Sequence, residues 1–462
     1  MSTTDDRHYL FDAPINRALI HLAVPMMAAT SVGVVYNIVN AGFIGALNST
    51  PLLAAITFGL PLSGLMMAVG GVFGTGGSTA VSRLLGRLET ADAAEAPALR
   101  AGIRRFSAFT VWGAALTGVI IAIAGLLALD PIVHLLGADA AAFAPTAGYA
   151  GILLAGSPVL MVAFAIEQLV RAEGAAKASM MAIIASTVAN LAFDVLFILV
   201  LHWDVAGAAL AIVLSNVVTI GYLARHLHRN SAEIRIGLRD FVPDAATARE
   251  VFGVGTSELL MSTFLIISSL VFNNIAVLYG DSVLAAFGIV MRVVQLPEML
   301  AMGVALGAMP LLAASFGAKL ADRSRSALIT SAIWVAVIVA CFATPLFLFG
   351  ERALQPFSSD AAVLAVGAVA LTAQLVSALF NGFTGLVITY FQATGQGGPA
   401  TVLSVVQGVL FIPLLLAGHA WLGLTGVIWS ITVAEVLAFA IALLTLWLRG
   451  RRVGVGEQLV AA

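Results

Sequence analysis

Apolar stretches of twenty or more residues recur along this chain, separated by short polar connections, and within each stretch the hydrophobic positions run on without alternating. Such a stretch crosses a hydrocarbon core of about 30 Å at about 1.5 Å per helical residue. A membrane strand would instead need apolar-polar alternation over about ten residues. The pattern predicts twelve spanning helices over 18–46, 52–81, 106–129, 145–170, 178–201, 206–224, 251–278, 283–316, 327–349, 363–391, 400–417 and 423–447. One long polar stretch, 225–250, interrupts the hydrophobic region and divides the spans six and six. The expected fold is all-α and integral to the membrane, in two six-helix bundles. The first bundle covers 1–224, the linker 225–250, the second bundle 251–450 and a tail 451–462.

The halves carry traces of a repeat. A shift of 231 residues lays LAA at 53–55 over LAA at 284–286, and Gly76 and Gly86 over Gly307 and Gly317. Six helices return the chain to its starting side, so the halves are expected as parallel repeats about an axis along the membrane normal. Gly70 with Gly74, and Gly303 with Gly307, form GxxxG pairs, which are read as sites of close helix packing.

Composition agrees with the pattern. Of 462 residues, 61% are hydrophobic and 10% charged, and the mean hydropathy is +1.04, more apolar surface than a water-soluble domain can enclose. Lysine and arginine mark cytoplasmic loops. Alternate loops here are basic and free of basic residues, and of the 22 lysines and arginines only Arg292 and Arg352 fall outside that scheme. Both termini are therefore expected in the cytoplasm of a multi-pass protein of the cell (inner or plasma) membrane. The polar first 17 residues do not read as a cleaved signal peptide. A net charge of −2 with basic residues spread over loop margins points away from nucleic acid. Cys341, the single cysteine, excludes an internal disulfide and reads as inert packing.

Several chemistries are missing. No G-x-x-x-x-G-K-[ST] segment occurs, and GGVFGTGGST at 70–79 lacks the lysine, so an ATP site within this chain is not expected. The seven histidines show no metal-ligand spacing, and neither a cofactor site nor a covalent catalytic apparatus is visible. The reading is a transporter, not an enzyme.

The order of motifs resembles the bacterial branch of the multidrug and toxic compound extrusion (MATE) family. LAVPMMAATSVGVVYNIVNAGFIGAL in helix 1, GTGGSTAVSRLLGRLE, RAEGAAKASM with STVANLAFDVLFIL, and FQATGQGGPATVLSVVQGVLFIPLLL carry the resemblance, which extends over nearly the whole chain. It implies two bundles forming a V around a central cavity, and export of amphipathic, often cationic small molecules by alternating access in exchange for protons or sodium. Asn190 and Asp194 match the family's N-x-x-x-D, whereas Asn40 stands where members commonly carry an acid three residues before FIG. Alternatives are a flippase or exporter of a lipid-linked or metabolite substrate from the same superfamily, or a major-facilitator transporter. The 317–322 spacing and the position of FGAKLADRSRS argue against the latter.

An ionised Asp at midmembrane costs about 2.5–3.5 kcal/mol on insertion scales, so its presence asks for a function. Asp194, placed here at the middle of helix 5, is expected to be the ion-coupling carboxylate. Asn190, one turn earlier, shares its face. Asn37 and Asn40 are expected to face it from helix 1, with Pro25 as a hinge. Structural interhelical hydrogen bonding is the competing account for each polar group. Glu298, Glu435 and Glu258 are candidates for a substrate or second coupling site, and Arg292 is a candidate counter-ion for one of them. Glu167 and Glu173 are read as loop contacts of Arg171 or Lys177. The expected partners are a small-molecule substrate and membrane lipid, and the oligomeric state is left open.

The charge pattern yields a topology test. With Cys341→Ala as background, an impermeant thiol reagent applied to intact cells should label a cysteine at Ser49 and spare one at Ser231. Labelling at Ser231 from outside would overturn the predicted orientation.

Overall fold

The computed structural model describes residues 3–45 and 50–452. The first half holds α1 (Thr3–Phe11), α2 (Ile15–Gly45), α3 (Thr50–Glu89), α4 (Ala96–Leu127), α5 (Leu129–Leu135), α6 (Phe143–Ala155), α7 (Ser157–Ala172), α8 (Ala176–Asp194) and α9 (Asp204–Asn230). The second holds α10 (Ala245–Ala276), α11 (Asp281–Gly317), α12 (Ala321–Phe349), α13 (Glu351–Leu354), α14 (Ala361–Ala393) and α15 (Gly397–Arg452).

Twelve crossings emerge once two features are resolved. Helices α6 and α7 are one predicted span bent by 50°. The bend falls at Gly156, followed by Ser157 and Pro158. Proline has no N–H to give to the ladder, and the Ser157 hydroxyl donates to the carbonyls of Gly118 and Leu154, both at 2.8 Å. At 56 residues α15 would be about 84 Å long if straight, far beyond a bilayer. Gly423 breaks it with φ 59 and ψ −138. A Cβ on Gly418 would sit 2.6 Å from the Gly426 carbonyl oxygen, so the two arms fold back against each other.

Many helices overrun their predicted ends. The α4 helix starts at Ala96 instead of 106, and α10 at Ala245 instead of 251. Hydropathy stops where lipid stops, but the hydrogen-bonded ladder continues into water through Ala, Arg and Glu, which are good helix formers. Asp244 caps α10 by accepting from the Thr247 backbone, and Thr247 first, then the Arg105 guanidinium of α4, hold its carboxyl down to about 2. The Pro25 position brings no break: α2 passes through it as one helix.

Two bundles meet along a seam of glycines. A Cβ on Gly76 of α3 would lie 2.1 Å from the Val251 carbonyl oxygen of α10, and one on Gly255 of α10 would lie 1.9 Å from that of Val72. The related pair joins α11 to α2: a Cβ on Gly307 would lie 2.4 Å from the Ala23 Cα and one on Gly303 2.7 Å from that of Met27. Between α3 and α11, a Cβ on Gly86 would stand 2.1 Å from the Ala314 carbonyl oxygen and one on Gly317 2.1 Å from that of Arg83. Residues 83 and 314, like 86 and 317, are separated by the predicted 231. The repeat thus reappears as reciprocal contacts across the seam. Gly70 and Gly74, by contrast, pack within the first bundle against Met161 and Gln168 of α7.

All these approaches lie toward the end that bears the basic loops, hereafter the base. Further along the same helices Gly33 of α2 and Gly64 of α3 meet nothing within 4 Å, so the bundles part. At the base, the Ser231 hydroxyl donates to Glu173, and burial pushes the Glu173 carboxyl up to about 7. Ser231 is consequently 5% exposed, and the exposed Ala232 is the better reporter position for the topology test. Two expectations are corrected. Cys341 is exposed on α12, whose span is the least enclosed of the set, instead of packed inside. Glu173 bonds the linker instead of Lys177, while Glu167 does pair with Arg171.

The seam predicts a sharp contrast between glycines. Gly317→Val forces a side chain into a backbone and should cost about 1–3 kcal/mol, lowering the melting temperature of detergent-purified protein by several degrees. Gly221→Ala, where nothing lies within 4 Å, should leave it unchanged or raise it. Equal melting temperatures for both variants would refute the seam's backbone contact.

Candidate functional site

Asp194 is the last residue of α8 before the chain widens into a π-helical turn, Val195–Val200. Such turns are rare and concentrate at functional sites. The span runs from Ala176 to Val200, within two residues of the predicted ends, so the carboxylate lies in its outer third and not at its middle as expected.

Around Asp194 four helices converge. The side chain is 1% exposed, and its Oδ2 finds no hydrogen-bond partner among the described residues. Asn190, 4% exposed, accepts from the Tyr36 hydroxyl of α2 at 2.6 Å and donates from Nδ2 to Ser215 Oγ of α9 at 3.4 Å. Tyr36 and Tyr149 of α6 both lie within electrostatic reach of Asp194. Tyr149 can pack there because Gly59 of α3 leaves room: a Cβ would stand 2.2 Å from its ring. The backbone of α2 places Asn37 next to Tyr36 and Asn40 one turn beyond it, and their side chains lie outside the described residues.

A buried carboxyl with an open lone pair, ringed by two phenols and an amide, can take up a proton or hold a small cation. Asn190 is oriented by its two partners, so it presents a fixed dipole beside that carboxyl. No sequence signal singled out Tyr36, Tyr149 or Ser215. Tyrosine and serine are ordinary in apolar helices, and only their convergence gives them a role.

The second bundle carries a different cluster. Glu435, on the second arm of α15, accepts from Gln407 Nε2 of the first arm at 3.3 and 3.1 Å, and the same nitrogen donates to Asn381 Oδ1 of α14 at 3.0 Å. Glu298 of α11, following Pro297, lies within electrostatic reach of Glu435. Asn381 and Gln407 were missed, although polar amides within an apolar span are a usable signal.

Two of the proposed companions belong elsewhere. Glu258 of α10 lies on the seam: its Cγ would be 2.8 Å from a Cβ on Gly71 of α3, and it bonds Gln392 of α14, which also donates to Ser257 at 2.9 Å. Arg292 is exposed and forms no ion pair among the described residues, so it is not the counter-ion expected for Glu298, Glu435 or Glu258. Met291 and Arg292 are both exposed, between the buried Val290 and Val294, so Arg292 points outward on α11. Among the described residues no group of three or more His, Cys, Asp or Glu side chains could hold a metal ion.

Comparison with known proteins closes the description. The family model described as MatE matches residues 25–196 and 257–416. The chain is 33% identical over 456 residues to the multidrug export protein MepA of Staphylococcus saprophyticus, covering 98% of each. To MepA of Staphylococcus aureus it is 32% identical over 445 residues, 96% of each chain. Among solved structures it is similar to an outward-facing conformation of a multidrug resistance MATE family transporter of the MOP superfamily, with TM-score 0.87, 24% identity and 98% of each chain covered. A MATE crystal structure in the bent conformation gives TM-score 0.87 at 24% identity, covering 98% of this chain and 99% of that one.

Proposed function

The chain belongs to the MatE family, and from that premise we propose that it exports amphipathic, cationic small molecules from the cytoplasm in exchange for protons or sodium by alternating access. It is a multi-pass transporter of the cell membrane, and multidrug export is the activity named for its staphylococcal relatives. In this reading the base faces the cytoplasm, and the structure corresponds to the form open toward the outside. The closed seam at one end and the parting of the bundles at the other support that assignment.

The observation that carries the coupling proposal is Asp194: fully buried, with one carboxylate oxygen unpartnered among the described residues, and flanked by the oriented Asn190. The gradient is sufficient for the task. One proton moving down about 100 mV supplies about 2.3 kcal/mol, and at about 1.4 kcal/mol per tenfold this sustains roughly a 40-fold gradient of a neutral substrate.

Asp194→Asn removes a buried ionisable group at nearly constant shape. It should leave the protein folded and inserted yet abolish gradient-driven export, measured as substrate-induced dequenching in proteoliposomes under imposed proton or sodium gradients. Export at the parental rate would place coupling elsewhere.

Glu298 and Glu435, two carboxylates within reach of one another inside the second bundle, serve in this reading to recognise cationic substrates. Replacing either with Gln should weaken export of monovalent cations about tenfold while neutral compounds change less than twofold. Equal loss for both classes would argue against recognition by charge.

A further inference from the structure

Two guanidinium groups at the base each grip the C-terminal turn of a helix across the seam. Arg83 of α3, in the first bundle, is 7% exposed and donates from Nη1 to the carbonyls of Gln392 at 3.3 Å and Ala393 at 3.0 Å, the last residues of α14 in the second. Its Nη2 pairs with Glu250 of α10 at 2.9 Å. Arg323 of α12, in the second bundle, reverses the arrangement. It donates from Nη2 to Tyr9 O at 2.9 Å, from Nε to Leu10 O at 2.8 Å and from Nη1 to Ala13 O at 2.8 Å. These carbonyls end α1 and begin the turn into α2.

Helix α1 is tied to the first bundle by specific polar and ring contacts, and it also packs on α11 of the second. Asp6 bonds His21 of α2 at 2.9 Å, the Tyr9 ring stacks on His21 at a centroid distance of 3.8 Å, and Leu10, 1% exposed, sits against Gly174 of the connection between α7 and α8. The last carbonyls of a helix have no partner of their own and carry partial negative charge. A guanidinium supplies a planar set of donors that fits several of them at once. Each arginine therefore closes the base by satisfying groups on the opposite side of the seam, and neither contact survives if the base opens.

We propose that Arg83 and Arg323, the latter acting through α1, form a two-point latch that sets the balance between the base-closed and base-open forms. The proposal rests on the alternating-access reading above. It gives the nine-residue helix that precedes the first crossing a function: α1 is the catch that Arg323 holds.

Spin labels at the exposed Thr90 and Ser326, in a Cys341→Ala background, report the width of the base by pulsed dipolar spectroscopy on the full chain in nanodiscs. Arg323→Ala should raise the ratio of long to short distances about tenfold. Deleting residues 2–11, which removes the Tyr9 and Leu10 acceptors, should shift the distances in the same direction, and Arg323→Ala added to that background should change them little, since only the Ala13 carbonyl remains for it. Should Arg323→Ala fail to give monodisperse protein, Arg323→Gln carries the same expectation with the stem retained. An unchanged distance distribution in the folded variant, or additive effects of the two changes, overturns the latch. The readout is a distance, not transport. A parental base that opens while the variant matches it sinks the latch alone, whereas a base that stays closed in every variant sinks the alternating-access reading as well.

Discussion

Direct backbone contact between the two bundles is the constraint on which the rest of this structure depends. Lipid tails are as apolar as leucine, so burying apolar surface between membrane helices supplies no driving force, and packing at close range must do the work. Glycine permits it. At Gly76, Gly86, Gly255, Gly303, Gly307 and Gly317 a single added carbon would meet backbone at 2.7 Å or less. These contacts fix four helices, α2, α3, α10 and α11, at one end. The remaining helices are arranged about them, and the absence of neighbours at Gly33 and Gly64 sets where the bundles separate.

Backbone symmetry does not extend to the chemistry. The first bundle surrounds one aspartate with two tyrosines, an asparagine and a serine, while the second surrounds two glutamates with a glutamine and an asparagine. A buried charge in a membrane survives only with partners or with water. Among the described residues one Asp194 oxygen has no hydrogen-bond partner, the setting for a group that changes state. Glu435 is bonded through both oxygens to one amide nitrogen, the setting for a group held in place. Two copies of one scaffold thereby offer two different electrostatic tasks.

Much of the scaffold was legible in the sequence. The twelve apolar stretches, the six-and-six division and the 231-residue shift all come from hydropathy and a few glycines, because lipid enforces long apolar helices and the seam enforces small residues at fixed spacing. Asp194 and Asn190 stood out because their cost in lipid is high. Tyr36 and Tyr149 did not, since a phenol is at home in an apolar helix until a carboxylate lies beside it. Arg292 was misread because a basic residue inside a span implies a buried partner only if the helix turns it inward. Glu258 was misassigned for a related reason: sequence gives depth along a helix but not which of two bundles the side chain addresses, and its neighbour is Gly71 across the seam.

The geometry of α2 bears on how the site and the seam communicate. Tyr36 bonds Asn190 beside Asp194, Thr30 donates to the Met299 carbonyl of α11 at 2.9 Å, and Met27 and Ala23 sit against Gly303 and Gly307. From Met27 to Tyr36 is nine residues of helix, about 14 Å. In the proposed coupling, a shift of Tyr36 that followed a change of charge on Asp194 would be carried along this helix to the residues that close the base. The Thr30 bond lands on the residue after Glu298, so the same helix reaches the second bundle's carboxylates. If Asp194 carries the ion and Glu298 with Glu435 the substrate, as proposed, the two sites need no longer chain of contacts than this one helix.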